Sequence, residues 1–221
     1  MEEYGYAHFD TSKGERKSRT SHFNRPDICD ELQELRSDAF RRSIPTADDE
    51  TLCFILSFVA ALKPKKILEI GTAVGISAIA MLSVCPKAHI TTIEKNAQFF
   101  KEAESNFIRF GVDMNVSAVN ADAGETLTSL TDEYDFIFMD CAKAQYIKYL
   151  PELKRLLKKG GTLVADDVLL FGWLTGESEV PKKRKMLYKH VCEYVEAVTS
   201  DTGLITTVMD IGDGLALSVK R

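Results

Sequence analysis

The residues best suited to chemistry are carboxylates that end or follow runs of apolar residues. Glu69 lies near the end of one run, Glu94 ends the next, Asp140 follows a third, and Asp166 and Asp167 follow a fourth. If these runs are strands of one parallel sheet, their carboxyl ends meet at the edge where such folds bind ligands. Any one of the carboxylates could instead cap a helix. Four acidic clusters at one edge would repel one another as simple caps, which favours a binding site.

Three of these carboxylates could hold a divalent cation. Asp140, Asp166 and Asp167 offer hard oxygen ligands, which suit Mg²⁺, Mn²⁺ or Ca²⁺, whereas the His and Cys ligands that zinc prefers are lacking. Lys143 follows Asp140 by three residues and would reach the same site. Beside a divalent cation its ammonium form is disfavoured, so its pKa should fall and the lysine could act as a base. The alternative is a surface lysine that pairs with Asp140.

A glycine turn predicts where a second ligand would bind. Residues 66–70 form an apolar run typical of a buried parallel strand, followed by Gly71, Gly75 and a helix from Ile76. The glycines would let the backbone approach a ligand, and the helix would aim free N–H groups at it. The middle glycine of G-x-G-x-x-G is missing, which favours a nucleoside ligand over NAD, and Glu94 lies near the offset at which an acid meets a ribose hydroxyl. Good packing alone could also explain the glycines.

The order of apolar runs predicts an α/β fold, a Rossmann-like doubly wound sheet of seven strands. The sheet should be mostly parallel, with an antiparallel hairpin strand at the C-terminus. Strands are predicted at residues 66–70, 89–94, 115–119, 134–139, 162–165, 204–209 and 215–219. Helices are predicted at residues 26–43, 49–62, from 76, 97–110, 145–157 and 181–199, with a glycine turn at 160–161 before the fifth strand.

Length and composition bound the class of protein. The chain has 221 residues, 45% hydrophobic and 28% charged, with a net charge of −5. These values fit one ordinary soluble domain at residues 26–221, after a flexible polar arm at residues 1–25 that has no signal-peptide core. Five scattered cysteines indicate neither a disulfide framework nor a zinc site, which points to the reducing cytoplasm. The longest apolar stretch, residues 52–62, is too short to span a membrane.

Two basic segments could contact an anionic partner. The second half of the arm, residues 13–25, carries five cations against one acid. A second run lies at the predicted start of the long helix 181–199, where the helix dipole disfavours positive charge. Both segments could equally be solvated chain. The cations proposed for a phosphate-binding patch are Arg41, Arg42, Lys182, Lys183, Arg184 and Lys185.

The glycine turn and the acidic strand ends together resemble a known enzyme family. Over about residues 26–221, the segments 66–75, 89–94, 140–143 and 166–167 are similar to the metal-dependent class I O-methyltransferases, which include catechol and caffeoyl-CoA O-methyltransferases. Within that group, residues 138–146 and 212–218 resemble the bacterial tRNA 5-hydroxyuridine methyltransferase.

The resemblance implies S-adenosylmethionine as methyl donor, a divalent cation, most simply Mg²⁺, at the three aspartates, a catalytic Lys143 and a homodimer. Glu94 would contact the donor's ribose, Asp122 and Ala123 would flank its adenine, and Ile44 would close over it. The full set of residues implied to contact the donor is Ile44, Glu69, Gly71, Thr72, Ser77, Glu94, Asp122, Ala123 and Asp140.

Two positions depart from the family's pattern. The third metal ligand is usually Asn, and here it is Asp167, which adds negative charge. Where the plant enzymes have a second acid, two residues after the first, this chain has Ala142, so that donor contact cannot be carried over. The acceptor implied is 5-hydroxyuridine in tRNA or a small catechol or phenol, because both place a hydroxyl beside a second oxygen. A binding protein that keeps the fold without turnover is the rival from another class.

Overall fold

A computed structural model of the chain describes Ser18 and residues 20–221 and shows helices on both faces of one seven-stranded sheet. The helices are α1 (Asp30–Arg41), α2 (Asp49–Leu62), α3 (Ile76–Val84), α4 (Ala97–Arg109), α5 (Ala123–Ser129), α6 (Tyr146–Leu156) and α7 (Lys185–Ser200). The strands are β1 (Lys66–Ile70), β2 (His89–Glu94), β3 (Val116–Asn120), β4 (Tyr134–Met139), β5 (Leu157–Ala165), β6 (Leu204–Met209) and β7 (Leu215–Lys220).

The strand order is β3-β2-β1-β4-β5-β7-β6, which confirms the predicted Rossmann-like fold. The first five strands run parallel, and β7 lies antiparallel between β5 and β6. The direction of winding reverses between β1 and β4, and ligands bind outside the carboxyl ends of the strands at such a switch point. The sheet therefore places the ends of β1, β2, β4 and β5 around one crevice.

Two hydrophobic cores hold the helices to the sheet. One face of the sheet packs on α1, α2, α3 and Phe107 of α4, and the other packs on α6 and α7. Alternate residues of β4 serve the two cores: Phe136 and Phe138 join the first, and Ile137 and Met139 join the second. This division is the period of two that a strand buried on both faces requires.

The strand β5 begins earlier than the sequence predicts. It starts at Leu157 and runs through the glycine pair that was expected to form a turn before the strand. Pairing passes from Tyr134–Leu157 to Phe136–Thr162, so β5 carries extra residues that bulge from the sheet. Gly160 lies at φ +76°, a conformation that glycine adopts without a steric penalty.

Two helices begin later than predicted. Cys29 is extended, and α1 starts at Asp30 with acids in its first turn, where the helix dipole favours them. Pro181 is also extended and leads into a 3₁₀ turn at Lys182–Arg184, so α7 begins at Lys185. The prediction that all four cations of the run at 182–185 lie at the start of the α-helix is therefore wrong for the first three, which precede α7.

The predicted arm lies mostly outside the described residues, since residues 1–17 and 19 are not among them. Of the remainder, Ser18 donates its backbone N–H to Glu50 Oε2 at 3.0 Å, at the start of α2. Ser21–Phe23 form a 3₁₀ turn. Within the described part of the chain, every helix is too short or too polar to cross a lipid bilayer.

Candidate active site

The ends of β1, β2, β4 and β5 surround a cavity of about 1040 Å³. That volume lies at the upper end of the range for small-molecule sites, about 300–1,000 Å³, so two ligands can share the space. Predicted site residues that line it are Gly71, Thr72, Ser77, Glu94, Asp122, Ala123, Asp140, Lys143, Asp167 and Arg184.

The glycines after β1 serve contacts within the protein as well as access to the cavity. At Gly71, φ is +103° and an added Cβ would lie 1.9 Å from the carbonyl oxygen of Asp140. At Gly75, φ is +90° and a Cβ would lie 2.7 Å from the ring of Phe107. The prediction that both glycines make room for a ligand is thus incomplete, because the close approach at each is already made by a protein atom.

Glu69 is fully buried in β1 and does not line the cavity. Ser77 donates its hydroxyl to Glu69 Oε1 at 2.5 Å, and the hydroxyl of Thr92 donates to the other carboxylate oxygen. Burial raises the pKa of Glu69 to about 7, although the two hydroxyl hydrogen bonds oppose the shift. The structure therefore places Glu69 behind Ser77, which lines the cavity, and beside Thr92, which is fully buried.

Glu94 and Asp122 lie at the ends of neighbouring strands. The Glu94 carboxylate accepts the backbone N–H of Ala73 at 2.9 Å and that of Asn96 at 2.7 Å, which fixes its orientation at the cavity wall. Asp122 caps α5 and pairs with Lys95 at 2.8 Å, and the Lys95 partner helps to lower the pKa of Asp122. These contacts hold two acidic side chains in fixed positions at the cavity wall.

The loop before α2 contributes different residues from the one predicted. The side chain of Ile44 is 6% exposed and belongs to the core beneath α1 and α2, whereas residues 45–47 line the cavity. Sequence reasoning missed these three because a Pro-Thr-Ala segment gives no chemical signal. A proline just before a helix cap does predict a turn, which could have pointed to a loop at the cavity rim.

Asp140, Asp166 and Asp167 meet as the sequence predicts. One carboxylate oxygen from each residue lies within 4.8 Å of those of the other two. Asp140 follows β4, and Asp166 and Asp167 follow β5, its parallel neighbour. Asp167 lies at φ +55°, a left-handed conformation that Asp and Asn tolerate best among residues with a side chain. Three converging carboxylate oxygens are the ligand type that Mg²⁺ or Ca²⁺ takes.

Asp166 is held by groups that the sequence did not reveal. Its side chain accepts the Thr51 hydroxyl of α2 at 3.1 Å, and the Tyr146 hydroxyl lies 3.1 Å from the carbonyl oxygens of both Asp166 and Met139. Burial and the neighbouring Asp167 raise the pKa of Asp166 well above its ordinary value. The carboxyl group of Asp166 is thus held in place next to a second carboxyl group, that of Asp167. A cation bound between them would relieve their mutual repulsion.

Lys143 lies in a 3₁₀ turn after β4 and bridges the aspartates. Its Nζ is 2.7 Å from Asp140 Oδ1 and 2.9 Å from Asp167 Oδ2, with 11% of the side chain exposed. Burial acts to lower its pKa, but the two carboxylates outweigh burial and raise the pKa well above the ordinary value. With these partners alone the predicted fall in pKa is not seen, since that fall needs the positive charge of a cation.

The loop after β5 adds residues that sequence reasoning missed. Leu170 and Phe171 have φ of +48° and +58°, and both line the cavity. Asp213, in the β6–β7 connection, accepts the backbone N–H of Phe171 with its carboxylate at 2.7 and 2.6 Å. The motif around Asp213 was noted in the sequence, but its contact across the sheet depends on the antiparallel insertion of β7.

The predicted basic patch divides into paired and unpaired cations. Arg42 pairs with Glu102 through two bonds of 2.7 Å and also with Asp38, while Arg41 pairs with Asp38 at 3.1 Å. Among the described residues, none provides an ion-pair partner for the run at 182–185, of which Lys182, Lys183 and Lys185 are exposed and Arg184 lines the cavity. The run at 182–185 could therefore form ion pairs with a bound ligand, as far as the described residues show. Arg41 and Arg42 already form ion pairs within the chain.

The chain is similar to known O-methyltransferases along nearly its whole length. A model of the O-methyltransferase family matches residues 19–221. Tapetum-specific methyltransferase 1 of Arabidopsis thaliana is 30% identical over 199 residues, which cover 84% of each chain. Caffeoyl-CoA O-methyltransferase of Stellaria longipes is 30% identical over 204 residues, covering 86% of this chain and 83% of the relative.

Solved structures agree with this assignment. A Staphylococcus aureus structure provisionally described as a caffeoyl-CoA O-methyltransferase matches with a TM-score of 0.80 and 33% identity, covering 91% of this chain and 95% of the other. A Podospora anserina methyltransferase that holds S-adenosylhomocysteine matches in fold, with a TM-score of 0.82 at 23% identity and coverage of 91% and 92%. The chain belongs to the O-methyltransferase family and is an enzyme of that class.

Proposed function

We propose that the enzyme methylates a hydroxyl that has a second oxygen beside it, with S-adenosylmethionine as donor. The observation that carries this proposal is the position of Lys143, whose Nζ lies within 3 Å of two of three converging carboxylates at the wall of the cavity. A lysine at that place would reach an acceptor oxygen that binds a cation held by the three carboxylates. The rival idea of a binding protein without turnover gives no role to this arrangement.

The donor fits the β1–β2 side of the cavity. S-adenosylmethionine supplies an electrophilic methyl group bound to sulfur. The carboxylate of Glu94 is held in place by backbone N–H groups, and its spacing from the glycine turn is that of an acid that binds a ribose hydroxyl. Asp122 and Ala123 form the adjoining wall of the cavity. Thr72 and Ser77 line the cavity beside the first turn of α3 and would hold the amino-acid part. Gly71 keeps the backbone of β1 within reach of the β4 end.

Asp140, Asp166 and Asp167 would hold the divalent cation. The donor set fits, because it consists of three hard oxygens that converge within 4.8 Å of one another. Burial and, after it, the neighbouring carboxylates Asp167 and Asp140 raise the pKa of Asp166. The chemistry supplied by such a cation is Lewis acidity, which lowers the pKa of an acceptor hydroxyl and orients it.

Lys143 would accept the proton of the acceptor hydroxyl at Nζ, in its neutral form. The hydroxyl oxygen then forms a bond to the methyl carbon while the carbon–sulfur bond breaks, which leaves a methyl ether and S-adenosylhomocysteine. The other contribution of the chain is alignment of the two substrates, which can amount to about 7–11 kcal/mol in favourable systems. The apolar side chains of Leu170 and Phe171 limit water at the acceptor side.

The acceptor we propose is 5-hydroxyuridine in the anticodon loop of tRNA, giving 5-methoxyuridine, in the cytoplasm. The C4 carbonyl next to the hydroxyl provides the second oxygen. Support comes from the run at 182–185, which carries exposed cations on the chain just outside the cavity while Arg184 lines its wall. Phosphate contacts position a nucleic acid, and the cavity would read the base.

A small catechol or phenol is the second candidate acceptor. The named relatives at 30% identity include a caffeoyl-CoA O-methyltransferase. Arg41 and Arg42 are neutralised within the chain, which leaves a smaller basic surface than the sequence suggested. The same two-oxygen arrangement occurs in a catechol, so the carboxylate site would serve either acceptor.

The experiment is a methyl-transfer assay with labelled S-adenosylmethionine, Mg²⁺ and one of two acceptors. One reaction contains tRNA from cells that cannot form 5-methoxyuridine, and the other contains catechol. We expect label in tRNA, recovered as 5-methoxyuridine by nucleoside mass spectrometry. Label only in catechol would replace the proposed acceptor by the second candidate. Absence of transfer to both, with donor binding intact, would contradict an acceptor of this two-oxygen class.

A further inference from the structure

The peptide group that joins Asp166 to Asp167 is hydrogen-bonded at both ends. Its N–H donates to Asp166 Oδ1 at 2.8 Å, and its carbonyl oxygen, that of Asp166, lies 3.1 Å from the Tyr146 hydroxyl. Tyr146 is the first residue of α6, and its side chain is fully buried. Because a carbonyl oxygen can only accept, the Tyr146 hydroxyl is the donor.

The same hydroxyl lies across the ends of two neighbouring strands. It is also 3.1 Å from the carbonyl oxygen of Met139, the last residue of β4, so its one proton serves two acceptors. The backbone N–H of Asp166 donates to that Met139 carbonyl at 3.0 Å. Tyr146 therefore ties the chain that leaves β5 to the end of β4, immediately before Asp140.

The orientation of the peptide group bears on two of the three carboxylates. Asp167 lies at φ +55°, a conformation that persists only where the surroundings fix it. The chain after it is held, since Val168 donates its N–H to the Gly214 carbonyl at 2.9 Å. A return of Asp167 to negative φ must therefore rotate the peptide group before it, which breaks the hydrogen bonds at both of its ends. The Asp166 carboxylate would then lose its backbone donor.

We propose that Tyr146 is a positioning residue whose hydroxyl holds the Asp166–Asp167 peptide group in the orientation that lets both carboxylates converge with Asp140 on a divalent cation. The inference rests on the cation site of the proposed function and adds a residue that does not line the cavity. Groups behind the ligands of a metal commonly set its affinity in this way. The centroid of the Tyr146 ring lies 6.0 Å from Lys143 Nζ, and phenylalanine keeps that ring. Tyr146→Phe therefore isolates the effect of the hydroxyl.

A second buried tyrosine provides a matched control. Tyr194 of α7 is fully buried and packs edge-on against Tyr146, with ring centroids 5.4 Å apart and an angle of 71° between the rings. Among the described residues, its hydroxyl has no hydrogen-bond partner. Tyr194→Phe thus removes a buried hydroxyl from the same aromatic pair without releasing a strand end. Any general effect of a lost hydroxyl on this core should appear in both variants.

The test is a titration of each protein with Mn²⁺ alone, in which the free ion is measured by electron paramagnetic resonance. We expect Tyr146→Phe to bind Mn²⁺ about 10–100-fold more weakly than the parent protein, and Tyr194→Phe to stay within about 2-fold. Binding of S-adenosylhomocysteine, measured by calorimetry, should stay within about 2-fold in both variants, because the donor occupies the other side of the cavity. In the methyl-transfer assay, Tyr146→Phe should need more Mg²⁺ for half of its maximal rate and keep kcat within about 3-fold at saturating Mg²⁺.

Three outcomes would overturn the inference. Equal Mn²⁺ affinity in the two variants would remove the role of Tyr146 and leave the cation site in place. An equal loss of S-adenosylhomocysteine binding in Tyr146→Phe would assign the hydroxyl to general stability. Failure of the parent protein to bind Mn²⁺ would overturn the cation site and the role of Tyr146 together. If Tyr146→Phe does not unfold cooperatively in urea, Tyr146→Met, which also lacks the hydroxyl and adapts to an irregular space, replaces it in the titration.

Discussion

The β1–β2 side of the cavity and the β4–β5 side are built in opposite ways. On the first side, the buried carboxylate of Glu69 accepts hydrogen bonds from two hydroxyl groups, and that of Glu94, which is also buried, accepts two backbone N–H groups. On the second side, three carboxylates converge, and Lys143 forms ion pairs with two of them, Asp140 and Asp167. Each carboxylate on the β1–β2 side thus has its own hydrogen-bond donors, whereas the β4–β5 side has more carboxylates than cations to pair with them.

Backbone strain is found on both sides but is greater on the second. The loop after β5 has three residues with side chains in the left-handed region, Asp167, Leu170 and Phe171, whereas the loop after β1 has one, Ala73. Such residues cost about 1–3 kcal/mol each and persist where the surroundings fix them, as Asp213 does for Phe171. The β4–β5 side therefore holds more of the strained residues, together with the carboxylates whose repulsion a bound cation would offset.

The largest effect should come from the carboxylates. We expect Asp140→Ala, Asp166→Ala or a chelator to lower turnover at least about 10³-fold, because each removes the proposed Lewis-acid site. Binding of S-adenosylhomocysteine, measured by calorimetry, should change little, since its contacts lie mainly on the other side. Full activity in excess chelator would contradict the proposed metal mechanism.

Lys143 should give the next largest effect. Lys143→Ala is expected to lower kcat by about 10²–10⁴, the usual range for a positioned base. Part of the rate should return at higher pH, where the acceptor ionises without help. Lys143→Arg keeps the cation beside Asp140 and Asp167 but cannot take up a proton, so it should be as slow as Lys143→Ala. A pH–rate profile with normal turnover in either variant would assign Lys143 to structure.

The close approach of β1 to β4 can be broken with one methyl group. Gly71→Ala should lower the free energy of unfolding by about 3 kcal/mol or more, because the Cβ meets the Asp140 carbonyl oxygen at 1.9 Å and φ is positive. Gly111→Ala is the control, since φ there is +66° and nothing lies within 4 Å of the added atom. It should cost only about 1–2 kcal/mol. Equal losses in urea unfolding would show that the contact with Asp140 contributes nothing.

A smaller effect is expected from the basic run outside both sides of the cavity. Replacing residues 182–185 by Ala should weaken tRNA binding several-fold and flatten its dependence on salt, because phosphate contacts release counterions. Methylation of a small catechol should stay within about 2-fold, since Lys182, Lys183 and Lys185 do not line the cavity. Replacing Arg41 and Arg42, which are paired within the chain, is the control. An unchanged salt series on tRNA would remove the run from recognition.

The smallest effect should come from Asp167→Asn. The amide keeps one oxygen ligand, and Asn tolerates φ of +55° as well as Asp does. One negative charge disappears beside Lys143, so the pKa of Lys143 should fall in the absence of metal. We expect activity within about 3-fold of the parent and a changed preference among Mg²⁺, Mn²⁺ and Ca²⁺, measured by metal titration. Loss of activity as large as that of Asp166→Ala would show that the charge itself is needed.

Particular elements show where sequence reasoning succeeds. The strands β2 and β4 have the predicted bounds, because each is a short apolar run with clear polar ends. The predicted starts of α2 and α4 are confirmed, since the side chains of Asp48 and Asn96, each just before its helix, accept backbone N–H groups of the first turn. The start of β5 was missed because a glycine pair looks like a turn, and only pairing with β4 shows that the strand continues through it.

The sequence by itself determined the order of the strands and helices, the site of the glycine turn and the convergence of Asp140, Asp166 and Asp167. These properties follow from local patterns of apolar and polar residues and from the rule that parallel strands end at one edge. Only the tertiary structure decided which side chains face the cavity. Ile44 entered the core, Glu69 came to lie behind Ser77, and Arg42 met Glu102, because each depends on a neighbour distant in sequence.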